Sequence, residues 1–256
     1  MAQYVFDRCL SVAATYVNDN TAKGIKAGDL AFWADQITDP SLSFTSETEE
    51  IVDARNNVVM VLQNGRGATF GASNAFFNTS ILAAQTGGKV ENNIQDPVAK
   101  YEIITLNNTK QGKLAHAPLD TDKAVVYALN SDGSFKTATP VAAEFEQDSL
   151  TVATGAENDK VLVVYAIDTM GTSGEHIRAL ADAENELLSV TAEILLRDLC
   201  DQAIYYAFLT MRGKVSGEAE WGMARDGAHA FEITAMPDYC GDKQLVDIVI
   251  VKGEDL

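Results

Sequence analysis

Residues 42–88, LSFTSETEEIVDARNNVVMVLQNGRGATFGASNAFFNTSILAAQTGG, constrain the fold more than any other part of the sequence. Leu42 and Phe44 alternate with Ser41, Ser43 and Thr45. Ile51 and Val52 close that run before Ala54-Arg55-Asn56-Asn57 turns the chain. Val58-Val59-Met60-Val61-Leu62 is too short and too rich in β-branched residues for a helix, so it reads as a strand. Asn64-Gly65 predicts a two-residue type I′ hairpin turn, which needs φ > 0 at both central positions. Ala68-Thr69-Phe70 then reads as a short returning strand. Ser73 or Asn74 caps a helix that runs through Thr86, with Gly87 in the left-handed position after its end. On that helix Phe77, Ile81 and Ala84 form one stripe, and Phe76, Thr79 and Ala83 lie beside it. One apolar helix laid on a small antiparallel sheet is a complete packing unit.

The rest of the chain reads as more sheet. Residues 1–40 give an N-terminal strand or arm, then a loop carrying a short strand around Leu30 to Trp33. Tyr101 to Leu106 is a strand, ended by Asn107-Asn108-Thr109 and a turn that continues through Gln111-Gly112. Lys123 to Leu129 is a strand, Asn130 to Gly133 a turn, Phe135 to Thr139 a short strand, and Glu144 to Val152 another. Lys160 to Ile167 is the most apolar strand and is expected to be central. Residues 168–175 read as a linker-like loop. Between Leu187 and Leu199, Val190, Ala192, Ile194 and Leu196 alternate as a strand face, while Leu187, Leu188, Thr191, Ile194 and Leu195 fit a helix stripe. The break at Asp198 to Asp201, before the β-rich run Ala203 to Met211, favours the strand. Arg212-Gly213-Lys214 reads as a turn, Val215 to Met223 as a strand, and Asp226-Gly227 as a second hairpin signal. His229, Phe231, Ile233 and Ala235 share a strand face. Pro237 to Gly241 breaks the chain, and Gln244 to Val251 closes it. The expected fold is mainly β: two packed antiparallel sheets, a β-sandwich or barrel, with one flanking α-helix.

Charge narrows the function. The chain carries 37 acidic against 19 basic residues, a net charge of −18. That balance argues against a protein that binds nucleic acid by neutralising phosphates. Cys9, Cys200 and Cys240 are odd in number, distant in sequence and without CxxC spacing. They read as reduced structural thiols of a protein made in a cytosol, and give neither a disulfide framework nor a zinc site. No apolar run is long enough for a transmembrane helix. The N-terminus holds Asp7 and Arg8 inside its apolar stretch, which does not fit a signal peptide.

Motifs for chemistry are missing. Gly65-Arg66-Gly67-Ala68-Thr69-Phe70-Gly71 lacks the Lys-Ser/Thr ending of a phosphate loop and does not fit GxGxxG; a turn explains its glycines. His116, His176 and His229 are scattered, with no metal-binding spacing, and His229 reads as a strand histidine at the core edge. Asp132-Gly133 lacks the other acidic positions of a calcium loop. Asn78-Thr79-Ser80 and Asn107-Asn108-Thr109 match the glycosylation sequon but carry no meaning without secretion. No carboxylate pair stands out for acid–base work. No enzyme activity, catalytic residue, metal or cofactor is expected.

Two stretches carry a family likeness. One is the paired strands, NGRGATFG turn and FFNTSILAAQTGG helix already described. The other runs through Arg197-Asp198-Leu199-Cys200, Gly213-Lys214-Val215-Ser216-Gly217 and Pro237-Asp238-Tyr239-Cys240. In order and spacing they resemble the tail-tube (major tail) proteins of long-tailed bacteriophages. The resemblance implies a sandwich with one helix, residues 1–113 and 171–256 forming the tail-tube domain, and residues 114–170 a β insertion or elongated loop region. It implies homohexameric rings whose sheets join into one barrel, leaving no exposed edge. The rings stack into a virion tube, made from protein synthesised in the host cytoplasm. The expected partners are further copies and the tail initiator, terminator and tape measure, with no membrane. Genomic DNA would pass through the lumen without specific binding, since like charge repels at short range and salt screens it beyond about 8–10 Å. Two other readings compete: a virion binding module (capsid decoration or receptor binding, using Tyr205, Tyr206 and Trp221) and a secretion-system tube protein.

Overall fold

The computed structural model describes residues 3–94, 96–179, 181–217, 227–239 and 241–256. The chain divides into two compact units, Met1–Val90 with Ile177–Leu256, and Glu91–His176. It runs first through β1 (Tyr4–Tyr16), β2 (Leu30–Ala34), β3 (Ile37–Val52), β4 (Val58–Asn74) and α1 (Thr79–Thr86). Then come β5 (Val90–Asn93), β6 (Val98–Thr105), β7 (Gln111–Lys113), β8 (Val125–Leu129), β9 (Ala143–Glu146), β10 (Ser149–Val152), β11 (Lys160–Ile167) and β12 (Ser173–Ile177). It ends with β13 (Leu187–Asp198), β14 (Ile204–Val215), β15 (His229–Ala235) and β16 (Val246–Lys252).

The first unit is one eight-stranded antiparallel sheet, ordered β2-β1-β13-β14-β15-β4-β3, with β16 also on β14. β13 settles its ambiguity as a strand because Leu188, Val190 and Ala192 alternate into the core with period 2. β14 is a branch point. Its residues 205–211 pair with β16, and residues 213–215 pair with β15. The sheet therefore divides and folds back on itself. Phe32 of β2 meets the ring of Phe231 of β15 edge-on at 5.5 Å, although three strands separate them in the sheet order. Val12, Val190, Leu209, Phe70 and Ile233 fill the layer between, all buried. Each such side chain contributes about 1.5–3 kcal/mol by leaving water. Ile81 and Ala84 of α1 join the same core.

The second unit has its own core. Sheet β6-β11-β8 and sheet β7-β10-β9 contribute Ile104, Val126, Leu150, Val161, Val163 and Tyr165 to it. β11 is central in its sheet, as its apolar run requires. β5 and β12 pair as a two-stranded ribbon where the chain enters and leaves. Within this unit β6 pairs along its whole length with β11.

The mainly β, antiparallel character is as the pattern implied; among the described residues there is one α-helix and no barrel closes. Several local readings are corrected. Asn64-Gly65 is no hairpin turn. β4 runs straight through it, with Asn64 opposite Glu47 and Arg66 opposite Ser46, so Gly65 is an unpaired bulge residue. Gly65 alone takes the positive φ, 71°, and a type I′ turn needs two such residues. Ala68-Thr69-Phe70 thus continues β4. The helix starts later than expected, capped by Asn78, whose side-chain oxygen accepts from the Ser80 and Ile81 N–H groups at 3.0 and 3.2 Å. Ser73 and Asn74 belong to β4 instead, where the β15 ladder claims them, and Phe76 and Phe77 lie outside the helix, exposed. Gly87 ends α1 at φ 65°, as expected. Gln111-Gly112 belongs to β7, and Phe135 makes a single bridge to Leu129 and no strand. Glu144 to Val152 is a hairpin, β9 and β10, turning at Gln147 with φ 54°. The loop before residue 175 already contains the start of β12.

Arg212-Gly213-Lys214 is the most consequential correction, because it lies inside β14. A Cβ on Gly213 would clash with the Thr234 carbonyl oxygen of β15. The glycine permits close approach at the branch. The expected strand Val215 to Met223 ends at Val215, and its remainder from residue 218, with Asp226 of the second hairpin signal, lies outside the described residues. Gly213→Ala is expected to destabilise the fold by about 1–3 kcal/mol, the usual penalty for overpacking a backbone contact. Urea unfolding followed by circular dichroism tests this, and an unchanged midpoint would contradict the close approach.

Candidate assembly surfaces

The residues singled out for chemistry are dispersed. Arg66 and Gly67 stand in the β4 ladder, opposite Ser46 and Thr45 of β3. His116 is exposed, His176 lies on β12 with Nδ1 4.0 Å from Glu91, and His229 is on β15. Among the described residues no group of three or more His, Cys, Asp or Glu could hold a metal. Asp132 accepts the Ser134 N–H at 2.9 Å and its hydroxyl at 2.6 Å, closing a turn. Asn78 is committed to capping α1, and its amide donates to the Trp33 carbonyl at 3.0 Å. In the second unit, burial pushes Glu102 up. Lys100 at 2.8 Å, the Ala115 N–H and the Tyr165 hydroxyl outweigh it and hold the carboxyl below its ordinary range. Tyr165 is pushed up to about 12 by burial and by Glu102. The cluster satisfies its own charge and offers no free acid or base.

His229 is buried rather than at the core edge. The Asn78 N–H donates to Nδ1 at 3.4 Å, which places the ring proton on Nε2, facing Gln85 Oε1 at 2.8 Å. Gln85 Nε2 donates onward to the Ala230 carbonyl at 2.9 Å. This chain of bonds ties α1 to β15. Burial lowers the imidazole pKa, so the neutral ring is the folded form.

The three sequence corners have structural roles. Asp198 accepts the Cys200 N–H at 2.7 Å and turns β13 into β14, while Arg197 pairs with Asp7 of β1 at 2.9 Å. Asp238 forms an ion pair with Arg212, the residue between the two pairing halves of β14. The Met236 N–H donates to the Arg212 carbonyl at 2.8 Å. The PD corner therefore pins the branch. Cys240 and Trp221 lie outside the described residues. Tyr205 packs edge-on against Tyr4 at 4.9 Å, as part of the sheet rather than a pocket.

What sequence reasoning missed is the exposed apolar surface. Among the described residues β16 pairs only with β14, so its other edge is open, and Ile248, Val249 and Ile250 are each more than 40% exposed. β3 and β4 extend beyond the sandwich as a long two-stranded arm, with Val58, Val59, Met60 and Val61 all at least half exposed. Phe6, Arg8, Leu42, Leu196, Ile248 and Ile250 line an open cleft of about 570 Å³. A signal was present in both runs. VVMVL and IVIV are apolar at odd and even positions alike, which a strand with one solvated face does not need. No helix among the described residues is long and apolar enough to cross a membrane.

A family model described as the YomU/Tube protein family matches residues 13–238. The chain belongs to the YomU/Tube protein family. The match runs across both units and includes the Arg197, Gly213 and Pro237 corners. No curated protein matches the chain. For this tube-family chain, open sheet edges and an apolar arm are the features to explain.

Acid should loosen the α1–β15 tie. The folded pKa of His229 lies below its unfolded value of about 6.5, so stability is flat above that value and falls as pH drops through it toward the folded pKa. His229→Gln should flatten this part of the profile. Urea midpoints at about pH 8 and pH 5 test it, and equal acid sensitivity in both proteins would exclude His229 as the source.

Proposed function

We propose that the protein is the tail-tube subunit of a long-tailed bacteriophage, a structural protein without catalysis. The free apolar edge of β16 carries this reading. An edge that is long, β-branched and apolar on both faces is a template for strand addition, which soluble monomers normally blunt with charge or proline. Addition of a neighbour's sheet at that edge, repeated around a ring, removes it from water. Copies then close into hexameric rings, and rings stack into a tube in the virion. The family description, with its naming of a tube, supports the same reading. The net charge of −18 suits a conduit that DNA crosses without adhering. Initiator, terminator and tape-measure proteins would be the remaining tail partners.

Charge at the β16 edge should block assembly without unfolding the subunit. Negative-stain microscopy of purified protein is expected to show rings or tubes with a central hole, and Val249→Lys to leave folded monomers. A wild-type protein that stays monomeric at high concentration would refute the proposal.

A further inference from the structure

The arm and the cleft are complementary. β15 leaves β4 at Thr69, so beyond that point β3 and β4 pair only with each other among the described residues. On the arm, Ile51 faces Met60 and Glu49 faces Leu62 on one side, and Glu50 faces Val61 on the other. Apolar side chains thus leave from both faces. A two-stranded ribbon is at best marginally stable alone in water, and nothing among the described residues covers this one: Val59 is 66% exposed and Met60 54%. The cleft is equally uncovered, with Phe6 75% exposed at its mouth.

An arm cannot fill the cleft of its own copy. The root of β3, from Ile37 to Leu42, lines the cleft, and the strand runs on from there. Residues 45–52 carry the tip roughly 26 Å further at about 3.3 Å per residue. Charge also matches. The arm carries Glu47, Glu49, Glu50 and Asp53 against Arg55 and Arg66, and stays net acidic. In the cleft, Asp7 is engaged by Arg197 at 2.9 Å, whereas Arg8 has no carboxylate partner among the described residues.

We propose that the cleft of one copy takes the β3–β4 arm of a second copy, with Val58 to Leu62 against Phe6, Leu196 and Ile250, and an arm carboxylate at Arg8. This rests on the self-assembly reading above and names the surfaces that carry it. Arm and cleft are different patches, so each copy offers both, and the contact is heterologous: it propagates head to tail into a ring or a stack. It acts beside the β16 edge and does not replace it.

The test uses the full-length protein with a benzophenone photo-crosslinker in place of Met60. After illumination of assemblies, cross-links are expected on peptides containing residues 6–9 or 248–250 of another copy. Independently, Arg8→Glu should raise the concentration needed for assembly roughly tenfold, as for loss of one close charge pair across an interface, and Glu50→Arg should restore it. Both side chains are exposed, so thermal melts should stay unchanged. If Arg8→Glu nevertheless unfolds, the Met60 cross-links decide alone. Assemblies whose cross-links fall elsewhere, or a charge swap without rescue, would overturn the arm-in-cleft contact while leaving the tube reading standing. Monomers at every concentration would overturn both.

Discussion

The structure depends on the branch in β14. A single strand must pair with β16 along one half and β15 along the other, and the sheet folds back only because the change occurs within about one residue, at Arg212. Two devices hold it. Gly213 lets the β15 backbone come closer than any side chain would allow, and Asp238 fixes Arg212 from the following loop. The Phe32–Phe231 contact, and with it the core, follows from that fold-back. A half-buried ion pair near the surface contributes little, about 1 kcal/mol. The steric allowance at Gly213 is therefore the stronger constraint, and Asp238 orients.

How much of this was legible depended on whether the signal was local. Lys160 to Ile167 and His229 to Ala235 were readable because apolar content or alternation alone defines a strand. The end of α1 was readable because Gly87 adopts the left-handed conformation that glycine favours. The start was not, since Ser73, Asn74 and Asn78 are all good caps, and only pairing of β4 with β15 excludes the first two. Asn64-Gly65 and Arg212-Gly213-Lys214 misled for one reason. Glycine marks a special backbone or a close approach, and a turn is merely its commonest use. Here the two sites hold a bulge and a branch.

The assembly surfaces were less legible still. No periodicity announces a cleft, because Phe6, Leu42, Leu196 and Ile250 come from four strands. The sequence places the arm's residues in strands, and the burial of one face is what a strand pattern usually implies. Only the register, with β15 stopping at Thr69, reveals that β3 and β4 run on with no third strand among the described residues. The corner motifs Arg197-Asp198 and Pro237-Asp238 were readable as a likeness, but their work is mechanical, turning one strand and pinning another.

The ribbon of β5 and β12 has a bearing on how the chain reaches this state. Tyr16 must find Leu188 to start the β1–β13 ladder, and the whole of Glu91–His176 lies between them. Once that intervening unit is formed, its ends are side by side, and the effective loop is roughly halved. Loop-closure entropy grows only logarithmically, so the saving is about 0.6 kcal/mol. The gain is in rate more than stability, because distant strand pairings are what slow the folding of β proteins. During synthesis the inner unit emerges before β13, so vectorial production favours the order in which the inner unit forms first and the β1–β13 ladder forms afterwards.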